Sequence, residues 1–500
     1  MKIYNIRVGF ATNSSSSHSI IVVDPKLIEE TKDICPSDKE FGWQDFVLIS
    51  KKSKESYLAL LLKKSISYIY EFLDFENKMT ECESNLLKKM YGLNVKSLKI
   101  DSGYVDHSSV IYFPKNYYSK SMIDDEFFED FKKFIIRKDV IILGGNDNTS
   151  KYEENILYKK GKLFENLEGL KFYTDYTCRK DEKYDYWSLF DRKDGTKIRF
   201  SFYDNKKIPD KAFAPELVDM KITDYCESNC PYCYMDSKKS GKHADEDYII
   251  EIIKALSSLK VFEVAIGGGD PTKHPNFLYI LEECRNHGII PNFSTKNYNI
   301  LNNKKELKKY LKLCGKMAFS VSCIDETDML IDKIDNIIKN KNTDYDLKRY
   351  LDSKISFHMI PGVSFKNKKE LNYIFDKIKL SRQDFSVTLL GYKNTGRAKK
   401  YSSYKEYKTF FNDLCIYLSK NYFPISIDTE IAKKNKEILD LYKVPKWLYF
   451  TEEGKFSAYI DAVNNEIGPS SFCNDNEKKI LKQRCAQELK DEIIDRFSEF

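Results

Sequence analysis

Apolar and polar positions follow two different rhythms along this chain of 500 residues. From Glu216 onward, a short apolar run is repeatedly followed by a longer segment with apolar residues three and four apart. ELVDMKIT, FEVAI, IIPNFST, KMAFSVS, SKISFHMI and DFSVTLL have the length and β-branched content of buried strands. DEDYIIEIIKALSSL, NFLYILEECRNHG, KKELKKYLKLCG, ETDMLIDKIDNIIKN, NKKELNYIFDKIKL and YKEYKTFFNDLCIYLSKN follow them in turn and predict amphipathic helices. Strands that alternate with helices predict an α/β fold with a parallel sheet. Periodicity leaves two arrangements open, an incomplete barrel of six βα units and an open doubly wound sheet.

The first 210 or so residues lack that rhythm. RVGF and SIIVV predict two short strands around the polar run ATNSSSSHS, whose default reading is a solvated turn. SYLALLLKKSISYIYEFL and SMIDDEFFEDFKKFIIR predict helices, VIILGG a buried strand ending at Gly144 and Gly145, and KIRFSFY an alternating strand. The polar, proline-bearing DNKKIPDKAFAP marks a boundary. Three segments result: an N-terminal α+β domain over 1–212, the βα core over 213–428 and an extension over 429–500. In the extension, PISIDTE predicts a strand and IAKKNKEILDLYK a helix. WLYFTEEGKFSAYIDAVNNEI predicts a hairpin turning at EEGK, and the tail from DNEKKI predicts a charged helix.

Composition narrows the function classes. The net charge of +6 is small for this length, and acidic and basic residues are interleaved, which argues against a dedicated nucleic-acid surface. No run approaches the ~18 apolar residues that span a bilayer, and the N-terminus has no apolar signal region. Twelve dispersed cysteines do not form a disulfide framework, so a reducing cytoplasm is expected.

One cluster departs from that dispersal. DYCESNCPYCYM places Cys226, Cys230 and Cys233 in a C-x3-C-x2-C pattern directly after the first strand. Chemistry in βα folds sits on the loops at the C-terminal ends of strands. Two metal chemistries suit three thiolates. A zinc site needs a fourth ligand, for which His243 is available. An iron–sulfur cluster bound by three cysteines leaves one iron open to a small molecule. The second motif, AIGGGDPTKHPNF, follows the second strand, where a glycine run is commonly only a tight turn.

Together these motifs resemble the radical S-adenosylmethionine (radical SAM) enzymes. Tyr232 fills the aromatic position of their C-x3-C-x-aromatic-C signature. Gly268, Gly269 and Pro271 match their Gly-Gly-Glu-Pro segment, with Asp270 in place of Glu. T-K-H-P resembles the Thr-Leu-His-Pro of the subgroup containing molybdenum-cofactor and peptide-modifying members, in which His274 is structural. The resemblance covers residues 216 to about 400. It implies an incomplete (β/α)6 barrel and a [4Fe–4S] cluster on Cys226, Cys230 and Cys233. It also implies SAM seated by Tyr232, Gly267, Gly268, Gly269, Asp270 and Pro271. Ser294, Thr295 and Asn297 at the third strand, Ser320 and Ser322 at the fourth, and Arg397 after the sixth complete the implied SAM site. Lys393 is a second cation there, and His358 a core or adenine-lining residue. Cys415, Cys473 and Cys485 lack ligand spacing, so no auxiliary cluster is expected, and Cys473 reads as buried.

The implied reaction is reductive cleavage of SAM to a 5′-deoxyadenosyl radical that abstracts a hydrogen atom. The implied substrate is a peptide or protein, with a nucleotide or small metabolite as the alternative. The chemistry is oxygen-sensitive and draws its electron from a flavodoxin- or ferredoxin-type reductant. The N-terminal domain is a candidate for substrate recognition. A Cys3His zinc adaptor without catalytic activity is the rival from another class.

Overall fold

The computed structural model describes residues 16–22, 33, 40–41, 46–69, 104–105, 113–114, 123–146, 164–166, 176–193, 195–202, 210–381, 385–421, 425–441, 443–444, 449 and 451–500. The chain divides into two compact units, Met1–Pro209 and Asp210–Phe500.

In the first unit, the strands Phe46–Leu48, Val140–Asn146, Ser16–Val22 and Phe164–Asn166 form one sheet in that order. Tyr176–Asp181, Tyr186–Asp191 and Lys197–Phe200 form an antiparallel sheet. The helices Lys51–Ile69 and Asp125–Ile135 supply much of the core, which is rich in aromatic rings: Phe113, Phe127, Phe128, Phe131 and Trp187 are buried together. The polar run departs from the solvated turn expected of it. Ser16, Ser17, His18 and Ser19 lie in a strand and pair with Asn146, Gly145, Gly144 and Leu143. The expected VIILGG strand accordingly continues one residue further, to Asn146. RVGF and the start of ATNSSSSHS lie outside the described residues. The hairpin over 176–191, buried around Trp187 and Leu189, is an element the pattern did not predict.

The second unit is built on β1 (Leu217–Thr223), β2 (Glu263–Gly268), β3 (Ile290–Thr295), β4 (Met317–Ser320), β5 (Ile355–Met359) and β6 (Ser386–Leu389). Successive strands are parallel neighbours. Helices α1 (Glu246–Ser258), α2 (Phe277–Asn286), α3 (Lys304–Leu313), α4 (Ile324–Lys339), α5 (Tyr345–Ser353), α6 (Lys368–Ser381) and α7 (Phe410–Leu418) connect and follow them. This is the α/β fold with a parallel sheet that the rhythm predicts. Helix starts follow local chemistry: the Asp245 carboxylate accepts from Tyr248 N and the Asp344 carboxylate from Leu347 N. Ile249, Ile252, Ile253 and Leu256 of α1 are fully buried in one core with Val218, Met220 and Ile222 of β1. Helix α5 was not predicted. Helix α7 begins at Phe410 rather than Tyr404, because the hydroxyls of Tyr407 and Thr409 both bond to Asp413 at its first turn.

The extension adds to the same sheet. Strand β7 (Ile425–Ile427) pairs with β6, and β8 (Ser457–Asp461) lies parallel to β1 on the side away from β2. Strand β9 (Glu466–Gly468) returns antiparallel to β8, and β10 (Lys479–Ile480) closes the edge. The hairpin therefore turns at Ala462–Asn465, not at EEGK, which forms bends ahead of β8. Asn465, with φ +59°, takes the left-handed position the turn requires. The tail forms a short 3-10 turn at Asp475–Glu477 and is α-helical only over α8 (Ala486–Ser498), which lies against α1 and buries Leu489, Ile493 and Phe497. Among the described residues, no helix is long and apolar enough to cross a membrane.

Candidate functional site

The loop from Asp224 to Asp245 folds back on itself beyond β1. Thr223 bridges His243 and Tyr225 bridges Lys238. Cys226 N donates to Lys238 O at 3.0 Å, and Cys233 N to Cys230 O at 3.2 Å. Asn229 and Asp236 take left-handed conformations, at φ +44° and +54°, which let the chain turn sharply around Cys230 and Cys233. Cys226, Cys230 and Cys233 are free thiols of intermediate exposure.

Arg397, expected at the SAM site, bonds to this loop. Its Nε donates to Cys230 O at 3.1 Å, and its Nη1 to Asp236 Oδ1 at 3.0 Å and Ser237 O at 2.8 Å. Its backbone N donates to Cys233 O at 3.0 Å. Gly396 allows that approach, since a Cβ on it would stand 2.4 Å from Tyr234 O. Arg397→Met is therefore expected to loosen the cysteine loop and lower the iron retained per chain after anaerobic reconstitution. Arg397→Lys should restore little, because one ammonium cannot reproduce the planar fork.

The glycine run docks onto the same loop. Gly269 N donates to Thr223 O at 2.6 Å and Asp270 N to Tyr225 O at 2.8 Å. A Cβ on Gly268 would lie 2.2 Å from Thr223 O, and one on Gly269 2.1 Å from Tyr225 O. The cysteine loop itself thus demands glycine at both positions. A Cβ on Gly267 would meet nothing within 4 Å, so open space lies beside that residue. Asp270, followed by the buried Pro271, is 3 % exposed and committed: it accepts from Thr272 N, Thr272 Oγ1 and Thr295 Oγ1. Thr295 in turn accepts from Asn297 N, and Asn297 Nδ2 donates to Thr272 Oγ1. Asp270, Thr295 and Asn297, read from the sequence as cofactor contacts, form one closed network joining the loops after β2 and β3. His274 donates through Nε2 to Ala244 O and accepts at Nδ1 from Asn276 N, the neutral tautomer of a structural residue.

A second network stands beside Cys230. Lys296 Nζ donates to Ser322 Oγ at 2.6 Å and Tyr232 OH at 3.2 Å, and pairs with Glu326 Oε1 at 3.0 Å. Burial opposes the Lys296 charge, but Tyr232, Cys230 and Glu326 outweigh it and hold the ammonium above its ordinary range. Burial pushes the Tyr232 hydroxyl up to about 12. Ser322 Oγ donates to Glu326 Oε2 at 2.7 Å, and Tyr298 OH donates to Ser320 O. Neither Lys296 nor Glu326 was singled out from sequence. The signal available was a lysine directly following a predicted strand end.

Ser294 and Ser320 alternate with buried residues on β3 and β4, on the face away from the helices. His358 of β5 occupies that face too, and burial lowers its pKa to about 4. Lys393 Nζ lies 4.9 Å from the Tyr234 ring centroid and 4.3 Å from that of Phe472.

Among the described residues, no three Cys, His, Asp or Glu side chains are gathered closely enough to hold a single metal ion. His243 Nδ1 lies 2.8 Å from Thr223 Oγ1. Three thiols spaced along one loop fit a cluster in which each iron takes its own thiolate.

The three-cysteine loop thus stands at the C-terminal end of the first strand of a parallel α/β sheet. Residues 220–378 match the model of the Radical SAM superfamily. That stretch carries a radical SAM domain. The family implies SAM and an iron–sulfur cluster as cofactors. The mycofactocin maturase MftC of Mycobacterium ulcerans is 31 % identical over 88 residues, 17 % of this chain and 24 % of that protein. MftC of Mycolicibacterium smegmatis is 30 % identical over the same length. The chain spans about a quarter of the length of the curated relatives it matches. Streptococcus suis SuiB bound to precursor peptide SuiA superposes with a TM-score of 0.45 at 13 % identity, covering 65 % of this chain and 90 % of SuiB. The native enzyme anSMEcpe with bound AdoMet and a Cp18Cys peptide gives a TM-score of 0.38 at 12 % identity, over 57 % and 82 % of the two chains.

Proposed function

We propose that this chain cleaves SAM reductively at a [4Fe–4S] cluster held by Cys226, Cys230 and Cys233 and abstracts a hydrogen atom from a peptide or protein. The observation that carries the reading is the docking of the glycine run onto the cysteine loop, with open space left beside Gly267. The cluster, once bound and reduced by a flavodoxin- or ferredoxin-type protein, supplies the electron that opens the sulfonium of SAM. The chain's own residues hold the geometry. Arg397 fixes the carbonyls of Cys230 and Cys233, and Lys221 ties Asp224 to β8. Lys296 sets a positive charge beside Cys230, where an anionic cofactor end is favoured. The choice of a peptide rests on the T-K-H-P segment and on the local likeness to a protein named a maturase.

The test is anaerobic. Iron-reconstituted chain should be brown and should turn SAM and dithionite into 5′-deoxyadenosine and methionine. The Cys230→Ala variant should lose that turnover. A colourless protein with one zinc and no deoxyadenosine would overturn the proposal.

A further inference from the structure

The ion pair beside Cys230 has every hydrogen bond it can make. Lys296 directly follows β3, and Glu326 sits in the first turn of α4, where the helix N-terminus favours a carboxylate. Lys296 Nζ and Glu326 Oε1 are 3.0 Å apart, with the two side chains 17 % and 24 % exposed. Glu326 Oε2 accepts from Ser322 N and Ser322 Oγ, both at 2.7 Å, and from Tyr298 OH at 3.0 Å. Lys296 donates to Ser322 Oγ, Tyr232 OH and Glu326. An ammonium has three N–H donors, and these acceptors take them all. The lysine is committed to the network, so it acts on its surroundings through its charge.

Tyr232 links that charge to the cysteine loop. It lies two positions after Cys230, and its ring centroid is 5.7 Å from Lys296 Nζ. Its oxygen accepts from Lys296, which leaves its own proton for the Cys230 sulfur. Along the hydrogen bonds the order is Cys230 sulfur, Tyr232 hydroxyl, Lys296 ammonium, Glu326 carboxylate. The pair is a dipole with its positive end toward the cysteine. The other charges of the loop are matched too. Glu227 pairs with Lys273, and Asp236 with Arg397 and Lys238, in more exposed settings that water and salt screen. Asp224 pairs with Lys221 ahead of Cys226.

The reduction potential of an iron–sulfur cluster is set by its charge surroundings, the hydrogen bonds to its sulfurs and its exposure. A nearby cation favours the state with the added electron, and a nearby anion disfavours it. We propose that Lys296 and Glu326 are positioning residues for electron uptake: the ammonium, acting through the Tyr232 hydroxyl, raises the potential of the cluster held at Cys230, and the carboxylate limits the rise. This rests on the reading of Cys226, Cys230 and Cys233 as cluster ligands. One electron passes from the reductant to the cluster; no bond of the network breaks and its protons stay in place. The pair sets how readily the cluster is reduced and how strong a reductant it then is toward SAM.

The experiment uses the full chain, reconstituted with iron and sulfide anaerobically and kept free of SAM. A redox titration followed by electron paramagnetic resonance reads the midpoint potential. Lys296→Met should lower it and Glu326→Gln should raise it. Each should change the reduced-to-oxidised ratio at the parent's midpoint by about tenfold, which is 59 mV for one electron. The double variant should return toward the parent, and Lys296→Arg, which keeps the charge, should stay near it. Tyr232→Phe keeps both charges and the ring and removes only the hydroxyl, so it should lower the midpoint. Opposite signs in Lys296→Met and Glu326→Gln support the proposal, because a pair that only braced the loop would not shift the potential by the sign of the charge removed. Unmoved midpoints, or shifts of one sign, overturn it. If those two variants hold no cluster, Tyr232→Phe decides, and a parental midpoint there overturns it. Such a result in a brown chain that makes 5′-deoxyadenosine removes the tuning role alone; a parent chain that takes up zinc in place of iron removes the cluster reading and the proposal together.

Discussion

Gly269→Ala is expected to strip the chain of most of its iron and lower 5′-deoxyadenosine formation, while Gly267→Ala leaves iron content unchanged. The two glycines are two residues apart, yet their surroundings are opposite. A Cβ at 269 would stand 2.1 Å from Tyr225 O, 2.6 Å from Tyr225 C and 2.9 Å from Asp224 C. All three are backbone atoms, which cannot rotate aside. The added methyl must push the chain beside Cys226 outward and break the bonds from Gly269 N and Asp270 N. A displacement near 1 Å in a reacting geometry costs on the order of 10²-fold in rate. Neither glycine has positive φ, so backbone strain does not confuse the comparison. At 267 the methyl enters open space, and if SAM occupies that space the variant should raise the KM for SAM with iron bound normally. Iron per chain and the KM for SAM separate the two effects. Normal iron and turnover in Gly269→Ala would contradict the docking argument.

The sequence disclosed what is local and hid what is distant. Cys226, Cys230 and Cys233 lie within eight positions, and GGGDP is contiguous, so both motifs can be read without a structure. The six βα units are equally legible, because each strand and helix buries one face and the period records it. Partners far apart leave no such mark. Arg397 reads as an ordinary loop cation until the fold brings it to Cys230, 167 positions away. Lys296 directly follows a visible strand, but nothing beside it says that Tyr232, 64 positions away, will meet it. The extension shows the same limit. FSAYIDAVNNEI alternates as a hairpin should, but its turn is set by Asp461, which accepts from Val463 N and Asn464 N. EEGK had the composition of a turn and lacked such an acceptor.

Lys221→Met is expected to be the most destabilising single change in the second unit, and Asp461→Asn in the same chain should recover part of the loss. Lys221 is paired in register with Asp461 across β1 and β8. Its Nζ lies 2.8 Å from Asp461 Oδ2 and 2.6 Å from Asp224 Oδ1, with the lysine side chain 8 % and the Asp461 side chain 5 % exposed. Methionine keeps the volume and removes the charge, leaving Asp461 buried against turn amides alone. Breaking a buried pair from one side costs about 3–5 kcal/mol. The double variant removes the stranded charge, so the two changes should be non-additive by about 0.5–3 kcal/mol. Burial opposes the Lys221 charge, but Asp461 and Asp224 outweigh it and raise its pKa. A lysine raised on folding contributes fully below its unfolded value of about 10.4 and loses that contribution as pH rises through the folded one. The difference between Lys221→Met and the parent should therefore be constant from neutral pH to about pH 10 and shrink above it. Asp224 precedes Cys226 by two residues, so the variant should also lose iron at temperatures where the fold persists. Denaturant midpoints across pH, with iron content read in parallel, decide the matter. A loss below about 1 kcal/mol would place this pair among surface ion pairs and remove the extension from the support of the cysteine loop.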